Sequence, residues 1–167
     1  VLDGGLPAWL ARKLPLESGE QAVARRDFRA VADPARVLKT MEIVAGLDGK
    51  GECLLIDARD GARFRGEAEP IDTRAGHIPG TGNLPFTDCL REDGTWLDGD
   101  TLRELMEPLL GADESVPWGV MCGSGVTACH LAISGLLAGY REPRVYVGSW
   151  SEWIRDPTRP VGSSAAV

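Results

Sequence analysis

The feature that most constrains this chain is the decapeptide Val120-Met121-Cys122-Gly123-Ser124-Gly125-Val126-Thr127-Ala128-Cys129. An apolar run, Trp118 to Met121, enters it. Two glycines at alternate positions interrupt it, and a helix-compatible run, Val126 to Ala138, leaves it. The pattern predicts a buried strand, a tight loop and a helix N-terminus, with Cys122 at the base of the loop. Backbone N–H groups that close such a loop and open a helix lack intrahelical partners, and the helix dipole adds partial positive charge there. A thiol held in that place loses its proton readily and becomes a nucleophile.

The rest of the chain alternates strands and helices. Cys53-Leu54-Leu55-Ile56-Asp57 is a continuous apolar run closing on an acid, which reads as a strand buried on both faces. Further strands are expected at Asp27–Val31, Asn83–Phe86, Pro117–Met121 and Arg144–Val147. Helices are expected at Ala35–Ala45, behind the Asp33-Pro34 start signal and ended by Gly46 and Gly49, and at Thr101–Leu110, capped by Asp100 and interrupted by Pro108. A last short helix, capped by Ser149, holds Trp150 and Trp153. The alternation predicts an α/β domain with a mainly parallel sheet of about five strands and helices on both faces. Ligands in such folds bind beyond the carboxyl ends of the strands, where Asp57, Cys122 and the loop over residues 58–82 converge.

Both ends read differently. Val1 to Trp9 and Val145 to Trp153 share the pattern V-x-x-G-x-x-x-x-W, which suggests a domain-sized repeat. Residues 1–10 are then the tail of a preceding domain, 11–26 a linker, 27–156 the catalytic domain, and 157–167 a loose Pro/Gly/Ser-rich tail.

Composition narrows the partners. The net charge of −7 over 167 residues argues against nucleic acid and against an anionic membrane surface. No apolar run approaches the roughly 20 residues of a membrane span, and no signal-peptide pattern opens the chain. Four cysteines without a C-x-x-C pair, and two histidines, form no zinc pattern. A reducing cytoplasm is the expected compartment, with no metal and no cofactor.

Cys122 is the candidate nucleophile, whereas Cys53, Cys89 and Cys129 read as small buried hydrophobes. The residues around it exclude several chemistries. A cysteine phosphatase needs an arginine six positions on, and that residue is Ala128. A thiol–disulfide oxidoreductase needs a resolving cysteine three positions on, and that residue is Gly125. His130 should lie on the helix pointing away, and His77, in His-Ile-Pro-Gly, reads as a turn element, so a histidine base is not at hand. A ring of N–H donors without a base suits a stored anion such as a persulfide, Cys–S–S⁻.

At this point the residues resemble the rhodanese superfamily, in particular its mercaptopyruvate branch. The resemblance rests on Cys122-Gly123-Ser124-Gly125-Val126-Thr127-Ala128, Leu55-Ile56-Asp57-Ala58-Arg59 and Arg63-Phe64-Arg65-Gly66. It extends to Gly76-His77-Ile78-Pro79-Gly80, Asn83-Leu84-Pro85-Phe86 and Val147-Gly148-Ser149-Trp150-Ser151-Glu152-Trp153, in family order. It implies a three-layer rhodanese-like fold and a sulfurtransferase working through a Cys122 persulfide, with Gly123 to Ala128 as the anion cradle. It also implies that Ser124 assists proton movement and that Arg63 holds the donor's carboxylate, a role guanidinium suits by its paired bonds. Neutral Gly123 and Ser124 favour mercaptopyruvate over thiosulfate as the small anionic donor. The family's second carboxylate-binding arginine follows a Glu-Pro pair; here Glu69-Pro70 is followed by Ile71, which leaves Arg59 or Arg74 as substitutes. A thiol such as thioredoxin or glutathione, or cyanide, is the implied acceptor, and a preceding rhodanese-like domain the implied partner. The alternative is a sulfur-relay or binding module with little turnover of its own.

Overall fold

The computed structural model describes residues 1–20, 22, 24–47 and 53–163. Its sheet is formed by β1 (Leu54–Asp57), β2 (Gly82–Asn83), β3 (Trp118–Met121) and β4 (Arg144–Val145). The helices are α1 (Gly5–Ala11), α2 (Thr40–Gly46), α3 (Gly61–Arg65), α4 (Gly99–Leu110), α5 (Val126–Leu137) and α6 (Ser149–Trp153). Short 3₁₀ turns occupy Pro34–Arg36 and Phe86–Cys89.

All pairings in the sheet are parallel, in the order β2-β1-β3-β4. Leu54 faces Trp118 and Asp57 faces Met121, so the two central strands end together, and Cys122 leaves the sheet beside Ala58. Successive strand residues point to opposite faces. Ile56 and Val120 enter one core with Leu102, Met106, Trp118 and Leu131, under α4 and α5. Leu55 and Met121 enter the other with Leu38, Ile78, Tyr146, Trp150 and Trp153, under α2 and α6. Two apolar layers around one sheet explain why β1 and β3 carry no polar alternation. Gly135 lets α5 lie directly on β3, because a Cβ there would stand 2.3 Å from the Trp118 ring.

Several expectations are corrected. Among the described residues the sheet has four strands, one fewer than the about five expected. Residues 27–31 hold no strand, and Phe28 and Val31 are 87% and 91% exposed, so their alternation has no apolar layer to meet. The outer edge of β4 instead receives a single parallel bridge from Val37, with Leu38 N–H donating to Val145 O at 3.0 Å. The helix expected over Ala35–Ala45 is split by that bridge into the Pro34–Arg36 turn and α2; the Gly49 stop lies outside the described residues. Asp98, not Asp100, caps α4, accepting from Thr101 N–H at 3.0 Å. Pro108 falls in the last turns of α4 without ending it, and the helix runs on to Leu110.

The stretch after Pro157, expected to be loose, is fastened as far as Gly162. Trp153 Nε1 donates to Pro160 O at 3.0 Å, and His77 and Gly162 exchange two backbone hydrogen bonds of 2.9 Å. At the other end, Asp3 accepts from Trp96 N–H at 3.0 Å, while Leu2, Leu6 and Leu10 stay about half exposed. Among the described residues no helix is long and apolar enough to cross a membrane.

Candidate active site

β3 delivers Cys122 to the carboxyl end of the sheet, and α6 with its approach holds the start of the loop in place. The Cys122 N–H donates to Ser149 Oγ at 3.1 Å, and that hydroxyl donates to Tyr146 O at 2.8 Å. Trp150 N–H donates to Cys122 O at 3.0 Å, and Ser151 N–H to Gly123 O at 2.9 Å. Three groups of the Ser149–Trp153 segment thus hold two residues of the loop. Ser149 does not cap α6, as its place in the sequence suggests; it is wholly buried and serves the cysteine backbone instead.

Gly125 turns the chain into α5 at φ +84°, where a side chain is strained, and a Cβ there would lie 2.6 Å from Val147 O. This turn aims the Gly125 N–H at Cys122 Sγ, 3.1 Å away. Cys122 itself is 2% exposed, whereas Ser124 lies exposed at the rim of the loop. Burial pushes the Cys122 thiol up, but the Thr127 hydroxyl and the N–H groups of Ala128, Ser124 and Gly125 pull it down by more, so it ionises below the ordinary cysteine range. Half-buried Cys53 and buried Cys89 lack that ring, and burial raises both thiols. Cys129, expected to be buried, is exposed, and none of the four cysteines is in a disulfide.

The three arginines separate clearly. Arg63 faces the loop: a Cβ built on Gly123 would lie 3.7 Å from both of its terminal nitrogens. Its Nε donates to Glu69 at 3.0 Å, and its Nη2 contacts Glu69 at 2.7 Å and Asp72 at 3.2 Å. Among the described residues Nη1 has no hydrogen-bond partner. Arg59 is not placed to bind a donor. It is 3% exposed, grips Asp57 through Nε and Nη2, reaches Gly76 O at 2.7 Å and Glu69 at 3.4 Å, and lies 4.6 Å above the Trp150 ring. The Asp57 carboxylate, expected in the pocket, is wholly buried in that clasp. Arg74 turns to Arg159 O at 3.4 Å. Ile71, where a second arginine was sought, is 74% exposed.

Neither histidine approaches the thiol as a base. His77 stacks on Phe64 with centroids 4.0 Å apart and bonds Phe64 O through Nδ1 at 2.8 Å, the turn role its motif suggested. His130 packs against Trp96 and Phe86, and burial holds its pKa below the usual histidine range. Sequence reasoning missed Ser149, Ser151, Glu69 and Asp72, which orient the loop and Arg63. The first two stood in a motif already noted, and Glu69 in the Glu69-Pro70 pair; Asp72 gave no signal beyond its proximity to Arg63 in sequence. Among the described residues no group of three or more His, Cys, Asp or Glu is arranged to hold a metal ion. A cavity of about 560 Å³ lies between α2 and β1, lined by Leu38, Glu42, Ile43, Cys53 and Arg144 but by no residue of the loop 122–128.

Comparison with known proteins adds the lineage. A family model described as "Rhodanese-like domain" matches residues 40–156. The chain is 47% identical to a probable 3-mercaptopyruvate sulfurtransferase of Pseudomonas aeruginosa, over 98% of this chain and 57% of that protein. It is 43% identical to the 3-mercaptopyruvate sulfurtransferase of Homo sapiens, over 92% and 52%. It is 39% identical to SseB of Mycobacterium tuberculosis, a putative thiosulfate sulfurtransferase, over 99% and 58%. The chain therefore spans about half the length of the curated relatives it matches. Among solved structures, the Tum1 protein of Saccharomyces cerevisiae superposes with a TM-score of 0.80 at 24% identity, over 96% of this chain and 59% of that one. An anaerobic ergothioneine biosynthesis enzyme of Chlorobium limicola superposes with a TM-score of 0.82 at 20% identity, over 97% and 40%. These two likenesses concern the fold, whose parallel sheet and flanking helices they share. With its family match across most of the chain and relatives this similar, the chain belongs to the rhodanese-like domain family.

Proposed function

We propose that this chain is the catalytic unit of a sulfurtransferase that carries sulfur as a persulfide on Cys122, with 3-mercaptopyruvate favoured over thiosulfate as donor. The observation that carries the reading is the ring of donors on the thiol: Gly125 N–H at 3.1 Å, the N–H groups of Ser124 and Ala128, and the Thr127 hydroxyl, together holding the thiol below its ordinary range. The same ring suits a persulfide anion in the same place. Thiolate Sγ attacks the thiol sulfur of the donor, an S–S bond forms, and the C–S bond breaks. The electron pair leaves with carbon as the enolate of pyruvate, which takes up the donor's thiol proton. In this reading Ser124, exposed at the rim, passes that proton. Arg63 Nη1, facing the loop, is the anchor for the donor carboxylate.

Neutral Gly123 and Ser124 support the mercaptopyruvate preference, as do the names of the relatives from Pseudomonas and Homo sapiens. Release goes to a thiol such as thioredoxin or glutathione, or to cyanide. A preceding rhodanese-like domain is the natural partner, supported by the half-exposed Leu2, Leu6 and Leu10 and by the greater length of the relatives. Four unpaired cysteines support a reducing, cytoplasmic setting. Intact mass after donor treatment tests the reading: a gain of about 32 Da, one sulfur on Cys122, discharged by cyanide as thiocyanate and lost in Cys122→Ser. A wild-type protein that gains no sulfur from either donor refutes it and leaves a binding module.

A further inference from the structure

Asp72 stands where three parts of the site meet. Its Oδ2 accepts from Arg63 Nη2 at 3.2 Å, and its Oδ1 accepts from Ser151 Oγ at 2.8 Å. Ser151 donates its own N–H to Gly123 O at 2.9 Å. One carboxylate therefore ties the guanidinium that faces the loop to the helix that holds the loop. Glu69, the other acid on Arg63, plays a different part. Its side chain is 4% exposed, its Oε1 accepts from the N–H groups of Ile71 and Asp72 at 3.1 Å, and it reaches Arg59. It belongs to the buried frame, whereas Asp72 sits at its outer edge, next to exposed Ile71.

The charges in this cluster do not balance. Arg59 and Arg63 stand against Asp57, Glu69 and Asp72, which leaves one net negative charge around the guanidinium that faces Cys122. Gly123 and Ser124 add nothing positive. A ligand of charge −2 meets twice the repulsion from Asp72 that a ligand of charge −1 meets at the same place.

We infer that Asp72 selects donors by charge: it aims Arg63 at the Cys122 loop, and its carboxylate disfavours dianions relative to monoanions there. The inference rests on Arg63 as the donor anchor. Asp72 is a positioning residue and takes no part in the bond changes. Loss of that unit charge in a partly solvated mouth favours a dianion by about twice the free energy by which it favours a monoanion, while any loss of aim in Arg63 costs both alike. The preference between them then moves about 3-fold toward the dianion.

The test uses protection of Cys122 from iodoacetamide in the full-length protein, at constant ionic strength, by pyruvate as monoanion and sulfate as dianion. Asp72→Asn, or Asp72→Ser should the amide variant fail to fold, is expected to strengthen sulfate protection about 3-fold more than pyruvate protection. Asp72→Glu, which keeps the charge, is expected to keep the wild-type ratio. Ser151→Ala, which cuts the tether and keeps the carboxylate, is expected to do the same while weakening both anions. An unchanged ratio in Asp72→Asn overturns the inference, and so does failure of both anions to protect the wild type. Neither readout needs sulfur transfer. Wild-type protein that gains sulfur while the ratio stays fixed sinks the selector alone, and protein that gains none while the ratio shifts sinks the sulfurtransferase reading alone.

Discussion

Replacing Thr127 by valine isolates one donor of the thiol ring. Valine keeps the branched shape in the first turn of α5 and removes the hydroxyl that lowers the Cys122 pKa most. A hydrogen bond to a charged group contributes about 1.5–3 kcal/mol, and one pKa unit corresponds to about 1.4 kcal/mol, so the thiol should titrate about 1–2 units higher. The assay is the rate of iodoacetamide alkylation against pH. Its midpoint is the sound readout, because the less acidic thiolate is also the better nucleophile and recovers nearly half of the loss in rate at fixed pH. The sign for stability comes from the same shift. The folded thiol ionises below the unfolded one, so its contribution is present above the unfolded value of about 8.5 and disappears as pH falls through the folded value. Thr127→Val should therefore lose stability increasingly as pH rises, and little in acid. A variant with intact secondary structure and an unmoved alkylation midpoint would show that the hydroxyl does not act on the thiolate, and the ring would have to be rebuilt on backbone donors alone.

Two further substitutions probe the frame. Gly125→Ala places a Cβ 2.6 Å from Val147 O at φ +84°, so the turn must shift and its N–H must leave Cys122 Sγ; sulfur loading followed by mass should fall about tenfold or more, as loss of an anion-hole donor does. Arg59→Met strips the buried Asp57 and Glu69 of a shared partner. Urea unfolding should show a loss of about 3–5 kcal/mol, the usual cost of leaving buried charge unpaired.

The parts of the molecule that were legible in the sequence are those where one local rule suffices. The runs Leu54–Asp57 and Trp118–Met121 are apolar on both faces because both faces are covered, and their ends mark the site. The loop was legible because glycine spacing and a helix start are local features, and the structure adds the Gly125 N–H on Sγ that such a start makes available. Failures came where a residue's role depends on distant partners. Asp27–Val31 alternates correctly for a strand, yet strand formation needs a neighbour, and the edge of β4 is met by Val37 instead. Ser149 looks like a helix cap until β3 places the Cys122 N–H against its hydroxyl.

Arg59 and Arg63 make the sharpest case. They are four residues apart on either side of the start of α3, and in sequence both are cations near an anion site. Burial and partner count decide between them. Asp57 and Gly76 O, with Trp150 beneath, occupy Arg59 from every side, so its charge is spent inside the domain. Glu69 and Asp72 occupy only one edge of Arg63 and leave Nη1 toward Gly123. A guanidinium with five N–H donors can be both fastened and available when its carboxylates lie on one side. The chemistry of the site therefore depends on where the acids sit as much as on the arginine itself, and those acids are supplied by the loop after α3, whose shape no periodicity announces.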